Sequence, residues 1–267
     1  AQNISLDETD VPVHQAYINQ IVASTGITVK AKSKWFNSVH VRGTQADIQA
    51  LSTLSFVNSI NFANSDLNAR QIQPKDLKIN KVNKQLEELT NYNYGNSANQ
   101  VEMLNGHLLH QQNYTGQGKI IAVLDSGFIG VDTALPFQNL MTNNQILGGY
   151  NFPDGNTNYF SRHNHGTSVL SCMGGFVDGQ LVGTAPDAQY YLFITEDINE
   201  ENPVEESYWV EGAELADYYG ADVINSSLGY FGYDNPAYSY TYNDMNGTTA
   251  FASRGADMAF AKGIMVV

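Results

Sequence analysis

The feature that most constrains the fold of this chain is a continuous apolar run at residues 120–124, which follows Lys119 and the turn-like segment Thr-Gly-Gln-Gly at 115–118. A short uninterrupted run rich in Ile and Val is typical of a strand that is buried on both faces of a parallel sheet. Similar runs predict strands at 190–195, 222–225 and 264–267, and the segments between them predict helices at about 165–175, 204–219 and 249–262. This alternation predicts an α/β domain, a parallel sheet flanked by helices, over residues 96–267.

The first 63 residues follow a different pattern. Apolar residues at helical spacing predict a helix at about 11–24, and two extended runs at 27–31 and 38–42 predict a hairpin. Thr44 is expected to cap a second helix, which is followed by a short strand at 56–60. The order α-β-β-α-β matches a ferredoxin-like βαββαβ layout without its first strand. Residues 1–63 are therefore predicted to form a small α+β, ferredoxin-like domain that lacks this strand.

Residues 64–95 separate these two regions and are rich in Asn, Gln and Lys. They predict a linker with one amphipathic stretch at 82–89, and the run Asn-Tyr-Asn-Tyr-Gly at 91–95 predicts a loose, cleavable end. The charge changes at the same place: residues 1–95 carry nine Lys and Arg against eight Asp and Glu, whereas residues 96–267 carry four against nineteen. The composition therefore supports a domain boundary near residue 95.

The net charge of the chain is −14 at pH 7. This acidic balance argues against a nucleic-acid partner, because phosphate binding requires Lys and Arg. No apolar run reaches the roughly 18 residues that a membrane-spanning helix needs, so no membrane partner is predicted. Cys172 is the only cysteine, which excludes an internal disulfide. Function must therefore be sought in individual residues.

Asp125 directly follows the apolar run, and Ser126 and Gly127 come next. Open parallel sheets bind ligands at the carboxyl ends of their strands, so this carboxylate is predicted to lie at a functional edge. Alone, the pattern is equally typical of phosphoryl-transfer, nucleotide-binding and metal sites. A nucleotide site is disfavoured, because the Gly-x-Gly at 116–118 precedes the strand, whereas a phosphate-binding loop follows one.

His165 begins the predicted helix at 165–175, and Gly166 leaves room for another backbone or a substrate to approach the imidazole. His163 could join it as a metal ligand, but no third His or Cys in the sequence has ligand-like spacing, so His163 is interpreted as a solvent-exposed loop residue. Ser168, in Gly-Thr-Ser, imitates a nucleophile motif but shares the helix of His165. We therefore assign it a structural role.

Ser227, Leu228 and Gly229 follow the apolar strand predicted at 222–225. Small polar residues and Gly are common where strands end, and this could be their only role. Their low side-chain bulk also suits backbone pairing with an extended peptide. The residues alone leave both interpretations open.

Together these motifs resemble the subtilisin-like serine proteases, peptidase family S8. Asp125 in Val-Leu-Asp-Ser-Gly matches the Asp box of the family, His165 in His-Gly-Thr-Ser-Val matches the His box, and Ser227-Leu228-Gly229 matches the substrate-binding strand. Asp precedes His by 40 positions, in the chain order of subtilisin. The resemblance covers about 100–267, and residues 11–62 look like the inhibitory pro-region of the family.

The resemblance implies a secreted serine endopeptidase that hydrolyses polypeptides by acyl transfer without a cofactor. Asp125 and His165 would be catalytic, the residues 227–229 would bind the substrate, and the pro-domain would be an intramolecular inhibitor. Calcium is common in the family, but the Asp, Asn and Gly residues at 242–247 could equally form a turn. No metal site is therefore assigned.

Two parts of the family's machinery are not matched: the oxyanion-hole Asn and the Ser nucleophile, which the family places after the strand corresponding to 264–267. We therefore expect a pro-region joined to the N-terminal part of a catalytic domain, and these residues alone are predicted to be inactive. The alternative is a non-catalytic, protease-like domain that holds peptides along a strand edge.

Overall fold

A computed structural model describes residues 5–68 and 91–267. Its helices are α1 (Gln15–Val22), α2 (Gln45–Ala50), α3 (Ala98–Met103), α4 (Gly106–His110), α5 (Gln138–Thr142), α6 (His165–Gly174), α7 (Val204–Tyr218) and α8 (Phe251–Ala261). Its strands are β1 (Thr28–Ser33), β2 (Ser38–Arg42), β3 (Ile120–Asp125), β4 (Ile146–Asn151), β5 (Phe176–Val177), β6 (Leu181–Val182), β7 (Gln189–Ile194), β8 (Val223–Ser226) and β9 (Met265–Val266). None of these helices is long and apolar enough to cross a membrane. The amphipathic stretch predicted at 82–89 lies outside the described residues.

The chain divides into two compact units, each assembled from separated stretches. The stretches of the first unit are Ala1–Gln73, Asp197–Tyr219 and Gly229–Ile264. Those of the second unit are Pro74–Glu196, Gly220–Leu228 and Met265–Val267. The first unit therefore combines the N-terminal hairpin with α7 and α8, whereas the second contains the large sheet.

The second unit is built on a five-stranded sheet with the order β4-β7-β3-β8-β9, in which all neighbouring strands are parallel. Residues 121–124 of the central strand β3 are buried, as expected of an apolar run that needs cover on both faces. Phe128, Leu170 of α6 and Leu192 of β7 lie in the same core cluster. The predicted parallel sheet flanked by helices is confirmed.

The sequence did not indicate β4, which forms one edge of this sheet. Gly148 and Gly149 interrupt its apolar pattern, and its pairing with β7 is irregular between Ile146 and Gly148. A Cβ on Gly149 would lie 2.1 Å from the carbonyl oxygen of Leu192. Gly149 thus interrupts the apolar pattern in the sequence, and its lack of a side chain allows β4 to approach β7 closely.

In the first unit, β1 and β2 form an antiparallel hairpin that contacts α7. Together with α1 and α2 this confirms the predicted α-β-β-α order. The strand predicted at 56–60 is wrong. Val57 N donates to Leu54 O at 2.9 Å in a turn, and the Phe56 ring stacks on Tyr17 of α1 with centroids 4.2 Å apart. Because the Val57 N–H is bonded within the turn and the Phe56 ring packs on α1, this segment does not add a strand to a sheet.

The end of the predicted linker packs into the second unit. Tyr94 is buried, and its hydroxyl lies 2.7 Å from His110 Nδ1. Gly95 forms a β-bridge with Leu181, and Asn96 N donates to Gln180 O at 2.8 Å. The prediction of a loose segment at 91–95 is therefore wrong for its last two residues, because burial of an aromatic ring and backbone pairing fix them in place.

Candidate active site

Asp125 is the last residue of β3, the central strand of the large sheet. The register pairs Asp125 with Ile194 at the end of β7, and Leu124 with Ser226 at the end of β8. The carboxyl ends of three parallel strands therefore meet at one edge, which is where parallel sheets bind ligands. The apolar composition of β3 thus determines where the Asp125 carboxylate is held.

Asp125 is completely buried, and donors surround its carboxylate. Oδ1 accepts hydrogen bonds from Ser126 N at 2.7 Å and from Ser126 Oγ at 3.2 Å. His165 Nδ1 lies 2.8 Å from Oδ1 and 3.0 Å from Oδ2. Buried carboxylates with several donors are held in one orientation. The structure thus brings together the two residues for which the sequence predicts catalytic roles.

His165 is the first residue of α6, and its side chain is 47% exposed. An ionised carboxylate offers only acceptors, so the contact with Asp125 assigns the ring proton to Nδ1 and a lone pair to Nε2. A half-exposed imidazole in this tautomer can take a proton from a hydroxyl that approaches Nε2. His163 is exposed, as expected, and its Nδ1 accepts from His165 N at 3.3 Å, which supports the start of the helix.

Two glycines allow the backbones around this pair to come close. A Cβ on Gly166 would lie 2.6 Å from Gly127 O and 2.8 Å from Asp125 Cβ. A Cβ on Gly127 would lie 2.2 Å from His163 N. Contacts this short are not tolerated by real side chains, so a larger residue at either position would push the imidazole away from the carboxylate.

Ser227 and Leu228 follow β8, the neighbour of β3, and neither is in regular secondary structure. They therefore leave the sheet at the edge where Asp125 lies. Gly229 comes next and is the first residue of a stretch that belongs to the other unit. Ser227 and Gly229 are exposed, and a Cβ on Gly229 would meet no atom within 4 Å. An accessible backbone after a strand end suits pairing with a peptide.

Ser126 is the contact that sequence reasoning missed. The sequence suggested only that it turns the chain, whereas both its main-chain N and its hydroxyl donate to Asp125. The signal was the order Asp-Ser-Gly, since an Asp carboxylate at a turn accepts readily from the residues that follow. Ser168 Oγ donates to Asn164 O at 3.3 Å, which agrees with a structural role on α6.

In the parts of the chain that the structure describes, no group of His, Cys, Asp and Glu has an arrangement that could hold a metal ion. In the segment at 242–247, Tyr242–Asp244 form one turn of 3-10 helix and the next residues form a turn. Asp244 accepts from Thr241 N at 2.8 Å, and Asn246 Oδ1 accepts from Thr248 N at 2.9 Å. These contacts favour the turn interpretation of that segment.

Comparison with protein families matches both regions of the chain. Residues 1–94 match the family described as Peptidase S8 propeptide domain, Bacteroidota, and residues 116–267 match the Subtilase family. The second match covers more than half of the chain and includes the parallel sheet and the Asp–His pair. The chain belongs to the subtilase family.

Curated relatives agree with this placement. The chain is 30% identical to subtilisin E of Bacillus subtilis (strain 168) over 131 residues, which make up 48% of this chain and 32% of that protein. It is 26% identical to subtilisin DY of Bacillus licheniformis over 168 residues, 62% of this chain and 52% of that protein. The chain thus spans about a third to a half of the length of these relatives.

A solved structure shows the same fold. Fervidolysin from Fervidobacterium pennivorans, a keratinolytic enzyme related to subtilisin, superimposes with a TM-score of 0.56 at 19% identity, covering 96% of this chain and 38% of that one. The predicted subtilisin-like architecture is therefore confirmed.

Proposed function

We propose that the protein carrying this chain is a serine endopeptidase that is made as a precursor and inhibited by its own N-terminal pro-domain. The observation that carries the proposal is the contact of His165 Nδ1 with both carboxylate oxygens of the buried Asp125, at 2.8 and 3.0 Å. In a Ser-His-Asp triad, a buried Asp orients the His that acts as the general base. Membership of the subtilase family supports the same chemistry.

In this mechanism His165 is first a general base and then a general acid. Its Nε2 takes the proton of the serine nucleophile as the hydroxyl attacks the scissile carbonyl, and returns it to the leaving amine. Asp125 keeps the imidazole in the required tautomer and stabilises the imidazolium between these steps. Water then hydrolyses the acyl-enzyme by the same route. Side chains and water carry every proton, so the proposed cycle uses no cofactor.

The segment Ser227, Leu228 and Gly229 is proposed to bind the polypeptide substrate. Two of these residues are exposed directly after a strand of the sheet. Backbone pairing with an extended chain depends little on side chains, which suits an enzyme that cuts polypeptides.

The pro-domain is proposed to be residues 1–63, the linker 64–95 and the catalytic part 96–267. In the first unit, Glu214 of α7 accepts hydrogen bonds from Lys34 N and Trp35 N of the hairpin turn, both at 3.0 Å. The hairpin lies in the propeptide match and α7 in the Subtilase match, so these contacts support intramolecular inhibition. We also propose that the protein acts outside the cell, because an inhibited precursor protects the cell that makes it.

Turnover and active-site labelling of the full-length gene product test the proposal. The wild type is expected to cleave a fluorogenic peptide and to react with a fluorophosphonate probe, whereas the 267 residues alone should stay unlabelled. His165→Ala should lower turnover by at least about 10,000-fold. Ser168→Ala, on the same helix, is the matched control and should keep activity. Turnover that survives His165→Ala would refute the proposal, and peptide binding without turnover would favour the non-catalytic alternative.

A further inference from the structure

Helix α7 carries three almost completely buried glutamates, Glu205, Glu206 and Glu214. Carboxylates are rarely buried without partners, because removing a charge from water is costly. Glu214 accepts from the N-terminal hairpin, and Glu205 accepts from the backbone of Asp197 and Asn202. Glu206 is 1% exposed and faces the residues between Gly229 and α8, which neither the family motifs nor the mechanism above uses.

The residues in question are 230–250, which contain five tyrosines and which we call the tyrosine segment. Glu206 Oε1 accepts hydrogen bonds from Tyr233 OH and Tyr240 OH, both at 2.6 Å. Glu206 Oε2 accepts from Ala252 N at 2.8 Å, in the first turn of α8. One carboxylate therefore holds the middle of the tyrosine segment and the helix that follows it.

The negative charge suits these three donors. Burial is the main cause that raises the pKa of both Tyr233 and Tyr240, and the charge of Glu206 raises it further. The two hydroxyls therefore stay protonated and can donate. The backbone N–H groups in the first turn of a helix have no partner within the helix, and the helix dipole favours a negative charge there. A neutral amide at position 206 has one acceptor oxygen and could not satisfy all three donors.

Two hydrogen bonds also connect residues within the first half of the tyrosine segment. Tyr240 N donates to Phe231 O at 2.8 Å, and Tyr233 N donates to Ser239 Oγ at 2.9 Å. Phe231 lies two residues after Gly229, the last residue of the proposed substrate-binding segment. A backbone hydrogen bond thus links the chain just after Gly229 to Tyr240, and the Tyr240 hydroxyl is in turn bonded to the buried Glu206 carboxylate.

We propose that Glu206 is a positioning residue that holds the backbone of Gly229 ready to pair with a polypeptide substrate. It acts through the tyrosine segment and does not itself contact the substrate. This inference rests on the proposed function. It predicts that losing the carboxylate weakens the binding of extended peptides without impairing the chemical step.

The experiment compares KM and kcat for an extended fluorogenic peptide among variants of the full-length gene product after maturation. Glu206→Gln should raise KM by about tenfold and leave kcat nearly unchanged, because binding lost equally from ground state and transition state appears in KM. Tyr240→Phe keeps the charge, removes one donor and should raise KM about threefold. Tyr218→Phe, the same substitution as Tyr240→Phe at an exposed position of the helix that carries Glu206, is the control and should leave KM unchanged.

Hydrogen exchange of residues 230–250 gives a second readout. Exchange should be faster in Glu206→Gln than in the wild type and unchanged in Tyr218→Phe. If Glu206→Gln does not fold, Tyr240→Phe and Tyr233→Phe decide the question. Wild-type turnover that depends on His165, with KM unchanged in these variants, would overturn this inference and leave the proposed function standing. Absence of turnover in the wild type would overturn both.

Discussion

Substituting Glu214 by Gln should weaken the binding of the pro-domain to the catalytic part. The carboxylate accepts three hydrogen bonds from the hairpin: Oε1 from Ser33 Oγ and Trp35 N, and Oε2 from Lys34 N. Gln keeps the shape and one acceptor oxygen, but its NH2 group would face Lys34 N, which is also a donor. A hydrogen bond to a charged group contributes about 1.5–3 kcal/mol, and a buried donor left without a partner costs about 1–3 kcal/mol.

The expected loss is therefore about 2–4 kcal/mol, which corresponds to a rise in Ki of roughly 30- to 1,000-fold. The assay measures inhibition of the matured gene product by a separately made segment of residues 1–90. Because the substitution is on the catalytic side, one preparation of the segment serves for every enzyme variant. Differences in Ki then report the contact and not the folding of the segment.

Asp217→Asn is the matched control for this measurement. Asp217 lies on the same helix and contacts Lys34 Nζ at 3.2 Å, but both side chains are about a fifth exposed. Partly exposed ion pairs contribute at most about 1 kcal/mol, so Ki should rise by less than about fivefold. Both variants should cleave a peptide substrate like the wild type. A change below threefold for Glu214→Gln, or equal changes for the two variants, would show that the buried carboxylate does not hold the hairpin.

Three further predictions follow from individual residues. Asp125→Asn should leave the thermal unfolding midpoint nearly unchanged and lower kcat/KM by about 10,000-fold, because the amide donates to His165 Nδ1 and favours the wrong tautomer; more than a tenth of wild-type turnover would exclude the assigned role. Burial raises the pKa of Glu211 to about 7 from its ordinary value of 4.5. Glu211 of α7 therefore retains a proton when the pro-domain is docked and loses it in the free catalytic part, so inhibition should weaken about tenfold more between pH 6 and 8 in the wild type than in Glu211→Gln; equal slopes would contradict this. That comparison removes the opposite contribution of His40, whose pKa burial lowers to about 4. The mature protein should retain the buried Tyr94, as N-terminal sequencing can establish, and Tyr94→Phe should lower its free energy of unfolding by about 1 kcal/mol in a denaturant titration.

The sequence alone determines the central strands of the parallel sheet and three of its flanking helices, but not the edge strand β4. The strands β3, β7 and β8 and the helices α6, α7 and α8 lie within a few residues of their predicted bounds. This is because a strand covered on both faces must be apolar throughout, and that pattern is local. The candidate pair Asp125 and His165 is also predictable from the sequence, since the residue types and their order carry the chemistry. Residues 56–60 show the limit: their apolar composition suits a strand, but the N–H of Val57 is bonded to Leu54 O in a turn.

Only the tertiary structure determines which charged and aromatic residues are buried. In the sequence, Glu206 and Glu214 look like ordinary solvent-facing residues of a helix, and Tyr94 looks like part of a linker. The fold brings donors to each of them from distant parts of the chain, as when Trp35 N reaches a carboxylate 179 positions away. A buried carboxylate is stable only where such donors replace water. The role of a buried carboxylate therefore depends on contacts with residues that are distant in the sequence, and its neighbours along the chain do not reveal them.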